Sequence, residues 1–181
     1  LGSSDRLSNS AVVTVNAGTL ALGANNDTVG SLTVSSGGSL TGTGTLTGSS
    51  YTLNAGTISA NLGAGTFTKT ATGTATLNGT SGASTVTIDT GGTLTLGAGD
   101  NHLLSSPTVT VDGVLNLVGD ETISTLAGGG SVVLTNAADI LSIGAANLLN
   151  TTFTGAISGA GGLTKNNTNT QTLSGTNSYT G

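Results

Sequence analysis

The chain has 181 residues, a net charge of −5 from eight acids against three bases, 6% charged and 2% aromatic residues, 31 glycines and no cysteine. That balance excludes a basic, phosphate-tracking surface and with it nucleic-acid binding. It also excludes disulfides and thiolate metal sites, and no apolar run approaches the roughly 18 residues of a membrane-spanning helix.

Disorder pairs low hydrophobicity with high net charge, whereas 35% of this chain is hydrophobic and its mean hydropathy is positive. Taken from the N-terminus, short runs alternate apolar residues with Thr, Ala or Asn. Val13 and Val15 flank Thr14, Leu20 and Leu22 flank Ala21, and Leu32 and Val34 flank Thr33. Val86 and Ile88 flank Thr87, Leu94 and Leu96 flank Thr95, and Leu115 and Leu117 flank Asn116. A period of two marks strands with one buried face. Strands are predicted to start near Thr14, Thr33, Tyr51, Thr66, Thr85 and Thr108, at intervals of 19, 18, 15, 19 and 23 residues. Glycine turns separate them, among them Ser36-Gly37-Gly38, Thr90-Gly91-Gly92 and Asp112-Gly113. Gly113 is expected to hold a positive φ there. Essentially no α-helix is expected; Asn136 to Leu149, rich in Ala and Leu, is the best helical candidate.

A longer period overlies these runs. Val13-Thr14-Val15-Asn16 returns as Val109-Thr110-Val111-Asp112, and Asp27-Thr28-Val29 as Glu121-Thr122-Ile123. Thr68-Lys69 returns as Thr164-Lys165, and Thr76-Leu77-Asn78-Gly79-Thr80 as Thr172-Leu173-Ser174-Gly175-Thr176. The offsets are 109 − 13 = 96, 121 − 27 = 94 and 172 − 76 = 96. Tandem repetition on this scale points to a solenoid. The expected architecture is all-β: one right-handed parallel β-helix of about nine coils, each of roughly 20 residues. It would contain two tandem copies, 1–95 and 96–181, cut from a longer chain. Stacked at the inter-strand spacing of about 4.8 Å, such coils make a rod about 40 Å long.

One stretch has a family likeness. Phe153-Thr154-Gly155-Ala156-Ile157-Ser158-Gly159-Ala160-Gly161-Gly162-Leu163-Thr164-Lys165, continued by Thr172-Leu173-Ser174-Gly175-Thr176-Asn177-Ser178-Tyr179-Thr180-Gly181, resembles the autotransporter-associated β-strand repeat of bacterial surface proteins. Val13 to Leu20 resembles the segment that follows such a unit, and the first copy is worn, with Phe67-Thr68-Lys69 and Ala83-Ser84 at the matching places. The resemblance implies a right-handed parallel β-helix in an autotransporter passenger, secreted to the cell surface and often adhesive. Filamentous-haemagglutinin-like exoproteins share that architecture. The implied role is a non-enzymatic adhesin or stalk segment; a self-assembling extracellular filament is the alternative, and an ice- or carbohydrate-binding solenoid a more distant one. Expected partners are neighbouring coils of the same long chain, end-to-end copies of itself, and host or surface glycans.

Residues able to do chemistry are few, and no catalytic, cofactor or metal site is expected. Asp100 and His102 form the one close acid–histidine pair, but Gly97-Ala98-Gly99-Asp100-Asn101 reads as a solvated excursion. Asp120-Glu121 offers hard oxygen ligands, yet Ca²⁺ takes six to eight, and the pair reads as an exposed turn. Lys69 and Lys165, equivalent in the long repeat, are expected to share one structural or solubilising position. Tyr51, Tyr179, Phe67 and Phe153 are too few for a stacking platform and are expected to be buried or to cap turns. Thr-x-Thr runs recur, at Thr41/Thr43/Thr45, Thr72/Thr74/Thr76, Thr85/Thr87, Thr93/Thr95 and Thr108/Thr110. Ice binding needs them on the same side of every coil, and their spacing drifts; hydroxyl ladders between coils are the expected use.

Overall fold

The computed structural model describes residues 1–145 and 149–181. The described strands pair only in parallel and stack as a β-solenoid with three faces, and no described residue is helical. The first face stacks Val12–Asn16, Ser31–Ser35, Ser50–Leu53, Thr66–Lys69, Thr85–Ile88, Thr108–Val111 and Thr125–Ala127. Six of these start at or within two residues of predicted starts, and the fourth, fifth and sixth begin on them. A bridge from Gly128 to Phe153 extends this face to the paired strands Thr151–Phe153 and Gln171–Leu173.

The second face stacks eight strands, Thr19–Gly23, Gly38–Gly42, Gly56–Ile58, Thr74–Leu77, Thr93–Ala98, Val114–Val118, Ser131–Leu134 and Ala156–Gly159. The third face is thinner. Asp27–Thr28, Thr45–Thr47 and Asn61–Leu62 open it, single bridges through Ser81 and Leu103 continue it, and Glu121–Ile123, Ile140–Ile143 and Gly162–Lys165 complete it.

The eight stacked strands of the second face define about eight turns, close to the nine expected. The difference comes from unequal coils. Paired strand starts on the first face lie 31 − 12 = 19, 50 − 31 = 19, 66 − 50 = 16, 85 − 66 = 19, 108 − 85 = 23 and 125 − 108 = 17 residues apart. One coil on the second face takes 156 − 131 = 25. Extra residues bulge out at corners and leave the ladder intact.

Alternation sends every second residue inward, and register stacks like on like. Leu32, Tyr51, Phe67, Val86, Val109 and Leu126 form one buried column on the first face. Leu40, Ile58, Leu77, Leu96, Leu117 and Leu134 form another on the second. The core is therefore a thin aliphatic rod, which explains how a chain with so few rings buries its interior.

As expected, the described part of Asn136 to Leu149 is not helical. Asn136 starts a turn in which its N–H donates to Asp139 Oδ2 at 2.9 Å, and Ile140–Ile143 is a strand. Residues 146–148 of that stretch lie outside the described residues. Gly113 is corrected: it is not among the positive-φ residues, and glycine is required there by close packing of one coil on the next.

Candidate functional site

Lys69 lies in register between Leu53 and Ile88, inside an otherwise aliphatic column of Val15, Val34, Leu53, Ile88 and Val111. Its side chain is fully buried, and its ammonium donates to the carbonyls of Asn54 at 2.9 Å, Thr70 at 2.7 Å and Thr72 at 2.7 Å. Burial pulls its pKa down, partly opposed by Asp89. Three acceptors match the three donors of an ammonium, so this lysine fastens a corner. Lys165 is exposed at the third face, paired with Ile143, and its ammonium donates to the Asn166 and Asn167 carbonyls and to Asn169 Oδ1. The two lysines do not share a position, although each curls back onto the turn that follows it.

His102 and Glu121 are buried, which corrects the expected solvated excursion and exposed turn. The imidazole Nδ1 lies 2.8 Å from the Gly79 carbonyl oxygen and Nε2 lies 3.1 Å from that of Gly97. Both ring nitrogens thus face backbone carbonyl oxygens. The Glu121 carboxylate accepts the N–H groups of His102 at 2.9 Å, Leu103 at 3.1 Å and Thr122 at 3.3 Å. Asp120 Oδ1 accepts Ile140 N–H at 2.7 Å, and Asp100 Oδ1 accepts Asp120 N–H at 3.0 Å.

Sequence reasoning missed the companion of Glu121. Asp27 is buried on the same face and accepts the N–H groups of Arg6 at 2.8 Å, Leu7 at 3.1 Å and Thr28 at 2.8 Å. Arg6-Leu7 and His102-Leu103 are matching places in the long repeat, and Asp5 and Asn101 just before them both hold positive φ, 59° and 55°. In each copy a buried carboxylate pins the excursion of the coil below. The signal was present in the Asp27/Glu121 match, but a carboxylate in a strand is ordinarily read as solvent-facing.

The two carboxylates differ in electrostatics. Burial raises Asp27, but the N–H donors of Arg6, Leu7 and Thr28 outweigh it, so the carboxyl sits below its usual 3.8. Burial wins at Glu121 over its own N–H donors and His102, so that carboxyl sits above its usual 4.5. By linkage, Asp27 contributes stability that is present above pH 3.8 and lost as pH falls through its lower folded value. Glu121 contributes stability that is full below pH 4.5 and lost as pH rises through its higher folded value. Melting curves across pH should therefore separate Asp27→Asn from Glu121→Gln. Each loses an N–H acceptor at every pH, but the deficit of Asp27→Asn grows as pH rises through the acid range, while that of Glu121→Gln shrinks. Parallel curves would refute this assignment.

Of the aromatics, Tyr51, Phe67 and Phe153 are buried, and Tyr51 Oη accepts Gly48 N–H at 2.8 Å, so it also closes a turn; Tyr179 is only partly buried. Among the described residues no group of three or more His, Cys, Asp or Glu side chains could hold a metal ion.

The threonines are better ordered than their sequence spacing suggests. Ser31, Ser50, Thr66, Thr85 and Thr108 share one outward column of the first face, and Thr33, Thr52, Thr68, Thr87 and Thr110 share the next. The drift is corrected: coil length varies, yet the ladder resets register on every turn. Nor do these two columns form hydroxyl ladders. Among the described residues, none of these hydroxyls hydrogen-bonds within the chain, because like rotamers about 4.8 Å apart are out of reach.

Comparison with family models, curated proteins and solved structures gives no match.

Proposed function

We propose that this chain is a non-catalytic, length-giving section of a long secreted bacterial surface protein, an adhesin passenger or stalk. One observation carries the reading: the polar side chains that could do chemistry are spent on the backbone. Lys69, His102, Asp27 and Glu121 are buried and each binds main-chain groups of neighbouring turns. Such groups brace a rod and are not exposed to a substrate. Shape is what remains to offer, and solenoids present extended surfaces. On this reading the neighbours are further coils of the same chain, and any ligand is a host or surface glycan met along a face.

The test places the chain between an export signal and an outer-membrane anchor in a bacterial host. It should reach the surface folded and protease-resistant, and carry a terminal label outward by about 40 Å, eight or nine steps of about 4.8 Å. A folded chain that stays inside the cell, or turnover of a polysaccharide, would count against it. End-to-end polymers in sedimentation of the isolated chain would favour the filament alternative.

A further inference from the structure

We propose that the first face of the solenoid binds ice. The argument is independent of the stalk reading and rests on the two outward columns Ser31, Ser50, Thr66, Thr85, Thr108 and Thr33, Thr52, Thr68, Thr87, Thr110.

These ten side chains form a grid of two columns and five rows. Rows are separated by the inter-strand spacing of about 4.8 Å, and the two hydroxyls within a strand by two residue rises, about 6.7 Å. Both distances are close to repeats between oxygen atoms on faces of hexagonal ice. A liquid has no such repeat, so the match discriminates between the two phases of water. The grid is also undistorted: pairing from Ser31–Ser35 to Thr108–Val111 runs without a register shift, whereas the second face slips between Ala21 and Gly23 and between Leu96 and Ala98.

A second observation is independent of spacing. Among the described residues, none of the ten hydroxyls is bonded within the chain, so each can hold a water of the grid. On the second face Thr95 Oγ1 is taken by Asn116 Nδ2 at 3.3 Å, and the column beyond it continues into Asn116 and Val133. The third is chemical. The lone charged residue in these five strands, Lys69, points inward. A charge would order liquid water around itself; a threonine places a methyl beside each hydroxyl, so the face repels disordered water while holding ordered water. Crystalline sugar polymers are a poorer fit, since they are gripped through aromatic rings and this face has no exposed one.

The experiment measures thermal hysteresis and ice-crystal shaping by the 181-residue chain, with four variants. Thr87→Tyr and Thr87→Lys break the centre of the grid; Asn116→Tyr and Asn116→Lys put the same groups on the second face. The parent should hold ice crystals without growth below their melting point. Both Thr87 variants should lose most of that gap, and both Asn116 variants should keep it, with all folded chains giving β-rich spectra and cooperative melting. Two variants of opposite chemistry keep the test valid if one fails to fold. No hysteresis in the parent, equal loss at both faces, or retention of crystalline cellulose or chitin without ice affinity overturns the proposal.

Discussion

Leu115→Asp is expected to unfold several coils at neutral pH. Leu115 is 1% exposed and sits in register between Leu94 and Val132, each of them buried. The neighbouring N–H groups are committed to the ladder: Val114 N–H donates to the Gly92 carbonyl at 2.9 Å, and Ser131 N–H to that of Gly113 at 2.8 Å. An ionised carboxylate there has no donor to accept from. Burying it, or protonating it to avoid the charge, costs roughly 3–5 kcal/mol, a large part of the 5–15 kcal/mol typical of a whole domain. Each coil is stable only against its neighbours, so the loss spreads along the rod. Chemical denaturation should show a midpoint far below the parent, recovering in acid as the carboxyl takes up a proton. A variant that melts like the parent at pH 7 means that Leu115 does not point inward.

Asp27 and Glu121 show why the position of a carboxylate matters more than its burial. They lie as deep as Leu115, yet each meets three backbone N–H groups, two from the excursion in the coil below and one from the residue that follows it. At Asp27 those N–H bonds outweigh burial and favour the charged form, whereas at Glu121 they only partly offset it. A buried acid is tolerated at the start of a third-face strand, where an excursion below turns its N–H groups toward it, and not at Leu115, where the ladder takes them.

This distinction bears on what the sequence could tell. Strand positions were legible because period-2 alternation depends on local residues, and the register of Val13, Leu32 and Val86 follows from which face is apolar. Coil length was legible only on average. The 16-residue step from Ser50 to Thr66 and the 23-residue step from Thr85 to Thr108 come from corners of different size. A corner has no hydrophobic period to read.

The long repeat hid a further point. Val13–Val15 and Val109–Val111 both lie on the first face, and Asp27 and Glu121 both on the third. Lys69 lies on the first face while its sequence counterpart Lys165 lies on the third. About 96 residues make five turns at one place and fewer at another, since the 25-residue step from Ser131 to Ala156 uses up the difference. Similar residues therefore do not guarantee the same place in a solenoid. The same uncoupling explains the threonine grid: drift along the sequence vanishes once corners absorb it. His102 was misread for a related reason, because nothing local reveals that the carbonyls of Gly79 and Gly97 converge on its ring.

Two glycine-to-alanine changes should differ widely, and the contrast isolates how the coils are held at their spacing. At Gly37 φ is +78° and an added Cβ meets nothing within 4 Å. Gly37→Ala costs only the strain of a left-handed alanine, about 1 kcal/mol. At Gly113 φ lies outside the left-handed region, but a Cβ would stand 2.3 Å from the Gly92 carbonyl oxygen and 2.5 Å from that of Asp89. Relief requires the two coils to part by about an ångström, measured against an ordinary contact. The ladder resists, since Gly113 N–H donates to the Ile88 carbonyl at 3.0 Å and Val114 N–H to that of Gly92 at 2.9 Å. Breaking two such bonds in a buried corner costs about 3–5 kcal/mol. The same squeeze recurs one turn up, where a Cβ on Gly130 would lie 2.1 Å from the Gly113 carbonyl oxygen, and again at Gly155, 1.9 Å from that of Gly130. These glycines form a seam along which one coil rests directly on the next, so displacement at one is passed to its neighbours. Equilibrium denaturation of Gly37→Ala and Gly113→Ala decides the matter: a small loss for the first and a several-fold larger loss for the second is expected, and equal losses would mean that backbone conformation, not coil-on-coil contact, selects glycine at the seam.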